Sequence, residues 1–190
     1  MEEKNRTPVV HKVAIAYGIM AVGCLLLLNK LSAPLSYYKV QTPRQILTGL
    51  DAAQGLLWGA GVGLAGALVG ELITRRSHWG IALTRLLRRV LGHLHTVDIL
   101  LLALLSSLGE ELLFRGLLMP YAGLVGSSAL FGLAHLLPRR SLWLWSVWAT
   151  AMGFAFGLLA SRTGGILAPA AAHFAINAIG LASLSRRKSS

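Results

Sequence analysis

Glu110 and Glu111 stand side by side in the run Ser107-Leu-Gly-Glu-Glu-Leu-Leu-Phe-Arg-Gly116, inside a long apolar stretch. A second apolar stretch ends at His135, and a third contains His173 and Asn177. An ionisable side chain at membrane depth costs roughly 2.5–3.5 kcal/mol on insertion scales, so such residues mark a functional site or a polar network. Glu111 and Arg115 are four apart and share a helix face, where they neutralise each other. Glu110 is rotated about 100° from that face, towards Phe114, which leaves its carboxylate free for chemistry. His173 and Asn177 are also four apart and share a face. A buried carboxylate beside a histidine can activate a water molecule as general base. An imidazole and an amide on a facing helix can donate hydrogen bonds to a developing oxyanion. Those are the parts of peptide-bond hydrolysis without a serine or cysteine nucleophile. Taken singly, a buried histidine reads as packing and a Glu–Arg pair as structural. Three polar clusters on three separate apolar segments read as a site.

Six apolar segments must position these groups: roughly Val13–Asn29, Leu56–Thr74, Val97–Met119, Tyr121–Leu137, Leu142–Ser161 and Gly165–Leu184. A helix needs about 20 apolar residues to cross the hydrocarbon core, and the fourth segment is near the lower limit. Backbone in lipid must satisfy its own hydrogen bonds, so each segment is expected to be helical. The fold class is therefore all-α: a polytopic transmembrane helix bundle of about six spans in a single domain, residues 1–190. Its motif-bearing core is 97–184. Pro169, four residues before His173, is expected to loosen the helix entry there. Gly55, Gly59, Gly63, Gly66 and Gly70 form a stripe for close helix packing, within the chain or between chains. Between Ser77 and His95, Arg85, Arg88 and Arg89 alternate with leucines at helical spacing, as an amphipathic helix on the cytoplasmic face would. His78, His93 and His95 beside it read as interfacial histidines.

Composition agrees. Apolar residues make up 55 % of the chain and charged residues 13 %, against about 25 % charged in soluble domains. One cysteine, Cys24, excludes an internal disulfide, and its apolar surroundings read as packing rather than a lipobox. The first segment, with Lys4, Arg6 and Lys12 before it and no clear cleavage signal after it, reads as a retained anchor. The net charge of +11 has a topological explanation. With both termini cytoplasmic, thirteen basic residues fall inside (Lys4, Arg6, Lys12, Arg75, Arg76, Arg85, Arg88, Arg89, Arg139, Arg140, Arg186, Arg187, Lys188) and four outside (Lys30, Lys39, Arg44, Arg162). Anionic lipid headgroups, not nucleic acid, are the expected partner of this charge. On that topology Arg139 and Arg140 put His135 near the boundary and Glu110 deeper.

In order and spacing, Glu110-Glu111-x-x-x-Arg115, Phe131-x-x-x-His135 and His173-x-x-x-Asn177 resemble the three motifs of the CAAX protease and bacteriocin-processing (Abi) family, which includes the type II CAAX prenyl endopeptidases. The resemblance covers roughly residues 97–184. It implies a glutamate-dependent intramembrane endopeptidase with its site in a membrane cavity, acting on a peptide or membrane-anchored protein. By position, Glu110 would be general base on a water, assisted by His135. His173 and Asn177 would hold the oxyanion, and Glu111 and Arg115 would support the motif helix. No cofactor is expected; zinc on two histidines and a carboxylate is the alternative. Larger members of the family have more helices, so this chain looks like a minimal core. The compact size and short loops point to a bacterial inner membrane. Two other functions compete: a non-enzymatic immunity or partner-binding protein, and a small transporter, which would show repeats or paired broken helices. Substrate identity and oligomeric state are open at this level.

Overall fold

The computed structural model describes residues 7–39 and 41–186. Lys4, Arg6, Arg187 and Lys188, part of the topology argument, lie outside the described residues. The described residues are mostly helical, with no strand among them. The chain runs through α1 (Thr7–Leu28), the short α2 (Ala33–Tyr38) and α3 (Pro43–Thr48), α4 (Ala52–Arg76), α5 (His78–Leu91) and α6 (Thr96–Glu111). A π-helical segment (Leu112–Leu118) leads into α7 (Met119–Ala134), and α8 (Trp143–Thr163) and α9 (Leu167–Arg186) complete the bundle.

Each of the six apolar segments is helical. Four stretches are long and apolar enough to cross a membrane: Val9–Leu28, Pro43–Arg76, Arg140–Thr163 and Leu167–Arg186. The third and fourth expected spans depart from simple rods. The third is α6 continued by the π segment, whose wider turn is a known mark of functional sites. The fourth breaks at Gly123, with φ 68° and ψ 179°, a backbone conformation open almost only to glycine. The helix beyond that break is short and stops at His135, with Pro138 following to forbid continuation. Pro169 also acts differently from the expectation. It lies in the first turn of α9, where an N–H would have no helical partner, so it starts the helix rather than loosening it.

The outer surface carries Leu26, Leu57, Leu68 and Val125, between 62 % and 75 % exposed. Apolar exposure on this scale suits contact with lipid. Inside the bundle, α4 packs along α9 with its glycine stripe inward: Gly55, Gly59, Gly63 and Gly66 are buried. The stripe therefore serves packing within the chain. A β-carbon on Gly63 would stand 2.8 Å from both the Ala172 carbonyl oxygen and the Ala175 methyl. Gly63→Val is thus expected to destabilise the protein by about 1–3 kcal/mol through overpacking. Gly61→Ala, which meets nothing within 4 Å, is the matched control, and thermal unfolding in detergent checks both.

The two ends of the bundle differ in charge. At one end the α2–α3 region docks on the α8–α9 turn, through Leu50 N–H to the Thr163 carbonyl and Ile166 N–H to the Ile46 carbonyl, both 2.8 Å. Lys30, Lys39, Arg44 and Arg162 belong to this end. At the other end α5 packs against α4, α8, α9 and the Arg140–Leu142 turn. Its start is capped by Ser77, whose hydroxyl accepts from Gly80 N–H at 3.1 Å. Arg75, Arg76, Arg85, Arg88, Arg89, Arg139, Arg140 and Arg186 gather here. Among the described residues, more arginines therefore stand at the α5 end than lysines and arginines at the α2–α3 end. The chain is an integral membrane protein.

Candidate active site

The motif residues converge from α6, the π segment, α7 and α9. Arg115, fully buried in the π segment, donates from Nη1 to Glu111 Oε1 at 2.9 Å and from Nη2 to the Gly153 carbonyl on α8 at 2.8 Å. Its guanidinium carbon lies 4.6 Å from the Phe131 ring centre and 5.4 Å from that of Phe156, close enough for cation–π attraction. Gly153 allows this approach, since a β-carbon there would stand 3.3 Å from Nη2. Glu111 Oε1 also meets His173 Nδ1 at 2.9 Å. The expected Glu111–Arg115 pair is therefore one side of a triad that fixes the His173 ring, which stacks on Phe156 with centres 5.1 Å apart.

Glu110 is left out of that triad, as the face argument anticipated. It is 6 % exposed. Its Oε1 accepts from the Tyr17 hydroxyl of α1 at 2.7 Å. Its Oε2 is buried with no hydrogen-bond partner. That oxygen faces His135 Nε2 at 3.7 Å and His173 Nε2 at 3.9 Å. Both separations exceed a direct hydrogen bond and suit one bridging water. The structure brings His135 and Glu110 together, because α7 ends early after its break. The His135 ring leans on Phe131 at 4.5 Å between centres, which accounts for the phenylalanine in the second motif. His135 Nδ1 lies 2.8 Å from the Phe131 carbonyl, which can only accept, so Nδ1 holds the proton and a neutral ring offers an Nε2 lone pair. Asn177 Nδ2 donates to Ser106 Oγ at 2.9 Å, and its second N–H stays available.

Glu110, His135, His173 and Asn177 line one cavity of about 380 Å³. The rest of its lining is mostly apolar and includes Leu83 and Leu87 of α5 and Trp145 and Trp148 of α8. The amphipathic helix thus turns its apolar face onto the site's own cavity. Among the described residues no three of His, Cys, Asp and Glu are grouped as a metal ion would require. Three groups at the site escaped the sequence reading. Ser106, four before Glu110, was visible as a same-face neighbour. Tyr17 was visible only as a phenol in an apolar span, and Gly153 contributes a backbone carbonyl that no sequence motif marks.

Residues 92–179 match the family model for type II CAAX prenyl endopeptidases, Rce1-like. Across that segment the chain is similar to the Rce1-like family. Every motif residue at the cavity falls inside it, whereas Tyr17 and the glycine stripe fall outside. The chain is also 40 % identical over 81 residues to the uncharacterized protein YpbD of Bacillus subtilis, a match covering 43 % of this chain and 42 % of YpbD. It thus spans less than half the length of that curated relative. No solved structure matches it significantly.

Proposed function

We propose that the protein is an intramembrane endopeptidase in which Glu110 activates water to cleave a peptide or membrane-anchored protein. The observation that carries this reading is the free Glu110 Oε2, buried and facing two imidazole Nε2 atoms at 3.7 and 3.9 Å. A water between them donates to Glu110 Oε2 and to His135 Nε2. Its oxygen attacks the scissile carbonyl carbon as Glu110 takes its proton. The oxyanion is received by the second Asn177 N–H and by His173, whose ring is held through Nδ1 by Glu111. Glu110 then passes its proton to the leaving nitrogen as the C–N bond breaks, releasing an amine and a carboxylic acid. Arg115 and Glu111 keep the His173 ring in place without touching substrate.

This mechanism uses no cofactor. In the proposed topology both termini are cytoplasmic in a bacterial inner membrane, with α5 and its arginines against anionic lipid headgroups. The test is purified protein in lipid nanodiscs against a panel of membrane-tethered peptides, read by mass spectrometry. Two fragments from one peptide bond, formed equally in strong chelator, are expected. Cleavage that stops in chelator would replace the reading with a zinc mechanism, and no cleavage would favour a partner-binding role.

A further inference from the structure

α1 lies outside the segment that carries the family motifs, yet it reaches the reactive carboxylate. Its Tyr17 hydroxyl is 2.7 Å from Glu110 Oε1, across 93 positions of sequence. The contact depends on how closely the helices pass. Gly109, immediately before Glu110, is buried, and a β-carbon there would stand 2.8 Å from the Met20 methyl and 3.1 Å from the Tyr17 carbonyl oxygen. Backbone meets backbone at the turn of α1 that carries Tyr17, so the phenol is delivered to the carboxylate by construction. Tyr17 itself is half-buried and lines the same cavity as His135 and His173.

We infer that Tyr17 is a positioning residue for Glu110, supplied by the first helix. This rests on the reading of Glu110 as general base. A carboxylate on a glutamate side chain has a broad terminal torsion. With Oε1 held by the phenol, that rotation is stopped and Oε2 stays turned to the two imidazoles. A general base must lie within hydrogen-bond reach of the proton it abstracts, so fixing this torsion acts on the chemical step and not on substrate binding. The hydroxyl also satisfies one carboxylate oxygen in a place with few polar groups, leaving the other to the water.

The test compares wild type, Tyr17→Phe and Glu110→Gln on the best-cleaved tethered peptide, with thermal unfolding of each. Tyr17→Phe keeps the ring and its packing. It is expected to lower kcat roughly 10- to 100-fold with KM within about twofold, and to leave the unfolding midpoint near that of wild type. A packing role alone would move the midpoint and spare kcat per folded molecule. Wild-type kcat in Tyr17→Phe, with Glu110→Gln inactive, overturns the inference and leaves the proposed function standing. Full activity in Glu110→Gln overturns the proposed function and the inference with it.

Discussion

Arg115→Met is expected to destabilise the protein by about 3–5 kcal/mol, because it leaves a buried carboxylate without its cation. Arg115 and Glu111 are both fully enclosed, so no solvent makes up for the loss. The Gly153 carbonyl loses its donor, and the rings of Phe131 and Phe156 lose the cation that they flank. Arg115→Lys retains a charge but not a fork able to reach Glu111 and Gly153 at once, so it falls between. Removing both charges is milder than removing one: the Glu111→Gln, Arg115→Met pair is expected to recover part of the loss. Thermal unfolding in detergent measures all four proteins. A wild-type midpoint for Arg115→Met would show that the pair does not hold the π segment against α8.

Glu110→Gln has the largest expected effect on activity. The amide nearly matches the carboxylate in shape and still accepts from Tyr17, so the fold should persist. It cannot take a proton from water. Loss of a positioned general base lowers turnover by roughly 10²–10⁴-fold. His173 is a different case, since its Nδ1 is tied to Glu111; changing it disturbs the buried charge triad as well as the oxyanion site. Glu110 is therefore the cleaner position at which to separate chemistry from folding.

Much of this was legible in the sequence for physical reasons. Apolar runs of about span length fix helices, since lipid offers the backbone no partner. The difference in surroundings between Glu110 and Glu111 followed from a 100° rotation and the reach of Arg115, and only Glu111 pairs with Arg115. Other features have no local signature. Gly123 looks like any helix glycine until its positive φ is known, so the shortening of α7 was missed. The Glu111–His173 bond spans 62 positions and depends on how α9 meets α6. Tyr17 sits in a helix without a motif, and only the α1–α6 packing at Gly109 brings it to the site. The glycine stripe was recognisable as packing, but its partner, α9, emerged from the fold alone.

The central claim is that Glu110 activates water for peptide cleavage without a metal ion. Its most direct test is one tethered peptide incubated with wild type and with Glu110→Gln, each with and without strong chelator, the fragments counted by mass spectrometry. The account predicts equal cleavage by wild type in both conditions and none above background from folded Glu110→Gln. Cleavage by Glu110→Gln at the wild-type rate, or wild-type cleavage abolished by chelator, would contradict it.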